Sequence, residues 1–275
     1  MVCHNNSLTR LPELPPSLDH LNCSANHLSN LPSLPPSLIY LECINNHLDN
    51  LPPLPSTLVY LKCGTNRLTS LPDLPAGLKI LTCWYNYLIE LPNLPEGLLD
   101  LDCDNNEITK LPNLPPLLKV LKCQDNELNS LPQLPVSLTS MCCGFNELTQ
   151  LPSLPLGLVE LFCRHNKLTT LPYLPPNLHM LNCWHNPLPD DYFIIIWSGN
   201  VRVEEHIKSC KEINLVNRIF RLRRLRFILE GLVGDRIAGN IQRVWRRYWM
   251  EPYFDSRLGY PVSRYMLHYQ SRLHS

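Results

Sequence analysis

The sequence predicts an α/β solenoid, in which stacked 20-residue turns build a curved parallel sheet with extended, mostly non-helical return segments, closed by a small helical cap. Three observations predict it. Cysteine recurs every 20 residues, at 3, 23, 43 and onward to 183, without a slip. Asparagine follows each of these cysteines by three residues, from Asn6 to Asn186. Two Leu-Pro pairs return in each of nine units, as at Pro12 and Pro15, and supply eighteen of the 27 prolines in the 275-residue chain. A fixed period of this length marks a repeat architecture, since one unit cannot bury its own apolar face.

Each element of the unit follows from its residues. In Leu21-Asn22-Cys23 the apolar residues alternate, so a short strand turns Leu21 and Cys23 inward and residues 20, 22 and 24 outward. The asparagine after the strand fits a buried amide that satisfies backbone groups at the turn. The Leu-Pro pairs exclude a helical return, because proline lacks an N–H and holds the preceding residue extended. Ten such strands at about 4.8 Å spacing would make a slab roughly 45 Å long. The repeat ends at Asn186, where Pro187 and Pro189 interrupt it. The array is therefore assigned to residues 1–190, a helical cap to 191–250 and a loose tail to 251–275. In the cap, Phe193-Ile194-Ile195-Ile196-Trp197 is an apolar run suited to covering an open end. Ile213, Val216, Ile219 and Phe220 then follow helical spacing, as do Ile237, Ile241, Val244, Trp245 and Tyr248.

Charge separates the same two regions. The chain holds 24 Lys+Arg and 24 Asp+Glu. Residues 1–186 carry nine basic against fifteen acidic side chains, and residues 187–275 carry fifteen against nine. A uniformly basic nucleic-acid binder is excluded at whole-chain level. No apolar run is long enough for a membrane-spanning helix, and the first residues lack a signal-peptide pattern. Twelve cysteines without a C-x-x-C spacing read as small buried hydrophobes in a reducing compartment. Cys142, at an outward position, stands apart as a candidate reactive thiol. His27 with His47, and His165 with His185, repeat in register without a third ligand. No metal, cofactor or catalytic constellation is expected: there is no Ser-His-Asp arrangement, phosphate loop or zinc-hydrolase motif.

The unit L-x-x-L-x-C-x-x-N-x-L, as in Leu18 to Leu28, resembles the leucine-rich repeat pattern over residues 1 to about 190. Its 20-residue L-P-x-L-P form is similar to the short repeats of secreted bacterial effectors and of giant DNA virus proteins. The resemblance implies a horseshoe that binds a protein partner on its concave face. Some effectors of this kind carry a long ubiquitin-ligase domain with a Cys-x-Asp nucleophile. The cysteine beyond the array here reads Ser209-Cys210-Lys211-Glu212, so that activity does not transfer.

Function in a repeat array belongs to the variable outward columns. Tyr40, Tyr60 and Trp84 occupy successive turns, with Tyr85 and Tyr87 nearby and Asp100, Asp102 and Asp104 on one strand beside them. Exposed aromatics next to carboxylates suit a protein-binding patch. A second candidate surface is basic: Arg221, Arg223, Arg224, Arg226, Arg243, Arg246 and Arg247. Ile241-Gln242 followed by Arg246-Arg247 resembles the first half of an IQ motif, although Glu251 departs from its second half. The expectation is a non-enzymatic, cytoplasmic, monomeric interaction protein, with nucleic-acid or calmodulin-like-protein binding through the basic helices as the alternative.

Overall fold

The computed structural model describes residues 1–188; the expected helical cap, the tail and all seven arginines of the basic surface lie outside the described residues. Nine three-residue strands recur at the interval of the repeat: β1 (His20–Asn22), β2 (Tyr40–Glu42), β3 (Tyr60–Lys62), β4 (Ile80–Thr82), β5 (Asp100–Asp102), β6 (Val120–Lys122), β7 (Ser140–Cys142), β8 (Glu160–Phe162) and β9 (Met180–Asn182). They form one parallel sheet in sequence order. Register never shifts, because equal repeat lengths set Leu21 beside Leu41 and Leu41 beside Leu61. No described residue is helical; the α component of the expected class rests on the cap alone.

One element departs from expectation. The first turn supplies a single bridge, Val2 to Asn22, in place of a tenth strand. Only Met1 and Val2 occupy strand positions there, which is too few for a three-residue ladder. The turn is still tied to its neighbour, since Cys3 donates its N–H to the Asn22 carbonyl at 2.8 Å. Its leucines are less covered than those of the next turn: Leu8, Leu11 and Leu18 are half-buried, whereas Leu28, Leu31 and Leu38 are buried.

Leucine and cysteine fill the interior as the alternation predicts. Leu21, Leu41, Leu61 and Leu81 are fully buried, as are Cys23, Cys43, Cys63 and Cys83. The return is extended and closes with a β-turn, in which Leu18 donates its N–H to the Pro15 carbonyl at 3.0 Å. Four of these turns carry a second proline (Pro16, Pro36, Pro116 and Pro176). Its fixed φ suits the second residue of a type I turn.

The asparagine ladder ties each turn to the one before. Asn66 Nδ2 donates to the Cys43 and Cys63 carbonyls at 3.0 and 3.1 Å, and its Oδ1 accepts the Leu48 N–H at 3.1 Å. Those backbone groups lie in a dry interior, where an unmade hydrogen bond costs most.

The residue before each of these asparagines adopts a left-handed conformation, with φ between 51 and 58° at Ala25, Asn45, Thr65, Tyr85, Asn105, Asp125, Phe145, His165 and His185. Asn and Asp tolerate this region, but alanine, threonine and the aromatics do not favour it. The neighbouring turn compels it: Tyr85 donates its N–H to Asp104 O at 2.9 Å, and Asn86 to Asn105 O at 3.2 Å. The sequence reading missed this feature, and at Ala25, Thr65, Tyr85 and Phe145 the residue itself carries no left-handed signature.

Candidate functional site

Parallel register places equivalent side chains of successive turns side by side, so the outward columns are stacks. Tyr40 on β2 lies beside Tyr60 on β3, with ring centroids 5.7 Å apart. His20 on β1 extends the run, stacked on Tyr40 at 5.8 Å. The Tyr40 hydroxyl donates to Glu42, and the Lys62 ammonium lies 5.6 Å above the Tyr40 ring and 3.9 Å from Glu42. Burial first, then the hydrogen bond to Glu42, pushes the Tyr40 hydroxyl pKa up. Tyr40 is thus pinned, while Tyr60 is 37% exposed and offers its face to solvent.

Trp84 lies two residues beyond β4 and covers Gly64 of the previous turn. A Cβ on Gly64 would sit 2.8 Å from the Trp84 ring. The indole therefore rests flat where a side chain would otherwise stand. The sequence signal was available: Gly64 is a bare position in a column that carries Ile44 and Trp84 on either side. Tyr85 meets Trp84 edge-on at 5.5 Å. Its backbone is left-handed just beyond the strand positions, and Tyr85 and Tyr87 are both more than half exposed.

The three carboxylates do different things. Asp102 on β5 pairs with Lys122 on β6 at 3.2 Å. Asp104 Oδ1 accepts the Gln124 backbone N–H at 2.6 Å. Burial, reinforced by the charge of Asp102, pushes the Asp104 pKa up to about 7 against that hydrogen bond. Burial likewise raises Asp100, with Lys122 opposing. Lys122 is the cation that sequence reasoning left out of this cluster, although register alone sets it beside Asp102. Among the described residues, no group of three or more His, Cys, Asp or Glu is arranged to hold a metal ion.

The cysteine column is free of disulfides, and every member from Cys23 to Cys183 is buried. Cys142, the candidate thiol at an outward position, is more sheltered than that position implies. It is half-buried on β7, with Sγ 3.8 Å from Gln124 Oε1. Burial, and next the nearby Asp104, pushes its pKa up to about 11. A protonated thiol is a poor nucleophile.

The repeated histidines stack. His27 and His47 lie 5.4 Å apart, and His165 stacks between Phe145 and His185 at 4.2 and 4.1 Å. The Arg164 guanidinium lies over the Phe145 ring, 5.0 Å from its centroid.

No protein-family model matches the chain, and no curated protein sequence matches it. Solved structures do. YopM from Yersinia enterocolitica is 38% identical at a TM-score of 0.60, over 68% of this chain and 46% of that one. The chain thus spans about half the length of YopM. A Shigella effector leucine-rich repeat domain is 32% identical at a TM-score of 0.51, over 64% of this chain and 73% of the domain. The structure of the Drosophila Toll–Spatzle complex shares the fold, with 24% identity and a TM-score of 0.52 over 65% of this chain and 29% of that one.

Proposed function

We propose that this chain, which belongs to the leucine-rich repeat family, is a non-catalytic module that grips a protein partner on the concave face of its sheet. The carrying observation is the row of aromatics on adjoining turns: Tyr40 and Tyr60 in register, and Trp84 flat over Gly64. Rigid aromatics lose little entropy when a partner covers them and bury much apolar area. Asp100, Asp102 and Asp104 lie on the turn after Trp84 and supply the polar border, with Tyr85 and Tyr87 continuing the aromatic surface onto the edge. Glu42, Lys62 and Lys122 are already paired within the chain, so they orient the patch rather than wait for a counter-charge.

The acidic excess of the repeat region argues against nucleic acid as its ligand. The bacterial effector likeness supports a host protein as the partner and host cytoplasm as the setting, where a column of free cysteines stays reduced. The test uses the full chain as bait in host cytosolic extract, beside Tyr60→Ala/Trp84→Ala. A protein retained by the wild type should lose about 2 kcal/mol or more of affinity for the double variant. Equal affinity for both baits would overturn the concave-face reading.

A further inference from the structure

The lateral edge carries a charge pattern that the concave-face reading does not use. One residue per turn stands there, two after each left-handed residue. In order, these include His27, His47 and Arg67, then Tyr87, then Glu107, Glu127 and Glu147; Ser7 precedes them, Lys167 and Pro187 follow, and all are exposed. The backbone spaces them rigidly: His27, Arg67, Tyr87 and Glu107 donate their N–H groups to the leucine carbonyls one turn back, at 2.8 to 2.9 Å. Six repeat intervals at about 4.8 Å make the row roughly 29 Å long. Among the described residues, no ion pair engages His27, His47, Arg67, Glu107 or Glu127; Glu147 alone is paired, with Lys167 of the neighbouring turn.

Over three steps the row is antisymmetric about Tyr87 in residue type, and the fourth step sets Ser7 opposite Lys167. Equal steps on either side reach Arg67 and Glu107, then His47 and Glu127, then His27 and Glu147. The adjoining left-handed column has the same centre. Tyr85 stands in the middle, Asn45 is opposite in step to Asp125, and small Ala25 is opposite to large Phe145. The central residues Tyr85, Tyr87 and Ile89 are apolar and more than half exposed. A largely aromatic centre with Arg67 one step to one side and Glu107 one step to the other suits a twofold interface, since each copy then presents the complement of itself.

We infer that this lateral edge docks a second copy of the chain, antiparallel, about a twofold axis at Tyr87. Rotation about an axis lying in the contact plane, across the row, reverses the row and brings the two edges face to face. Arg67 then meets Glu107 of the second copy, the two neighbouring histidines meet its next glutamates, and Tyr87 meets Tyr87. Parallel docking would set each glutamate against its own equivalent, which the like charges oppose. Glu90 is carried near its own equivalent, with Lys110 one turn away in the same column. The concave columns at residues 20, 22 and 24 of each unit remain open, so the dimer presents two partner-binding faces. This inference stands on the edge columns and replaces the monomer expected from the sequence.

Sedimentation velocity on the full chain tests it. The wild type should dimerise at low ionic strength and dissociate in about 1 M salt, where the screening length falls to about 3 Å. Arg67→Glu should weaken the dimer by roughly tenfold or more, because twofold symmetry loses each pair twice. The double variant Arg67→Glu/Glu107→Arg should recover the wild-type constant to within roughly threefold, since the pairing is restored with its signs exchanged. Circular dichroism checks that each variant keeps its fold, which exposed positions allow. A wild type that stays monomeric at low salt overturns the inference. So does a dimer indifferent to Arg67→Glu, or one that the second substitution fails to rescue. Each of these outcomes leaves the concave-face reading to its own test.

Discussion

Replacing Asn106 by alanine removes four hydrogen bonds, yet the structure assigns most of the damage to one of them. Asn106 Nδ2 donates to the carbonyls of Cys83, Cys103 and Asp104, each at 3.1 Å. All three carbonyls keep another donor: Asn86 Nδ2 at 3.0 Å for Cys83, Asn126 Nδ2 at 3.0 Å for Cys103, and the Tyr85 N–H at 2.9 Å for Asp104. The fourth bond differs. The Leu88 N–H donates to Asn106 Oδ1 at 3.1 Å and has no other partner among the described residues, and Leu88 is fully buried. Orphaning a buried donor costs about 1–3 kcal/mol, and the lost amide contacts add to it, so Asn106→Ala should cost about 2–4 kcal/mol. Asn6 is the control. It holds the same place in the repeat, but its side chain is exposed and, among the described residues, donates only to the His4 carbonyl. Asn6→Ala should cost less than about 0.5 kcal/mol. Urea denaturation of the full chain, followed by circular dichroism, measures both, and hydrogen exchange at Leu88 reports the orphaned group. Asn106→Ala within about 0.5 kcal/mol of wild type, or Asn6→Ala as damaging as Asn106→Ala, would refute the reasoning that burial gives the ladder its worth.

Two further outcomes follow from groups whose pKa the fold has moved. Cys142, with its pKa near 11 against an ordinary 9.0, should react with a disulfide reagent at pH 8 about a hundredfold more slowly than an exposed cysteine; a native-state rate typical of free thiols would show that the site is open to solvent. Asp104 is an acid with a raised folded-state pKa, about 7 against an ordinary 3.8, so the folded chain holds a proton that the unfolded chain has released between those values. Its contribution is fully favourable below pH 4 and declines as pH rises toward 7. Asp104→Asn keeps an oxygen for the Gln124 N–H, so it should be more stable than wild type at pH 8, with the advantage shrinking as pH falls from about 7 and smallest at pH 4. Urea melts at both pH values read this, and an advantage independent of pH would place the cause elsewhere.

How far the sequence could be read depended on whether a feature lay along the chain or between turns. The period of cysteine and asparagine was enough to give one parallel sheet in sequence order. With every unit 20 residues long, Leu21 cannot pair out of step with Leu41 without turning its own side chain to solvent. Alternation was enough to bury Leu21 and Cys23, and proline was enough to keep the return extended. It also named Tyr40, Tyr60, Trp84 and the three aspartates as outward-facing, since strand parity assigns a face. What it left open was how those side chains meet. That Tyr40 is held by Glu42 and Lys62, that Trp84 lies down over Gly64, that the Asp104 pKa is raised and that Cys142 is sheltered all depend on through-space distances between turns. The left-handed residue before each asparagine belongs with these. Tyr85 and Phe145 have no local preference for that conformation, and hydrogen bonds to the next turn, with those of the following asparagine amide, hold them in it. A repeating sequence determines its own stacking because each unit carries the same instruction. The chemistry of the outward columns was decided only once stacking brought residues twenty apart to within about 5 Å, where burial and neighbouring charge set what each side chain can do.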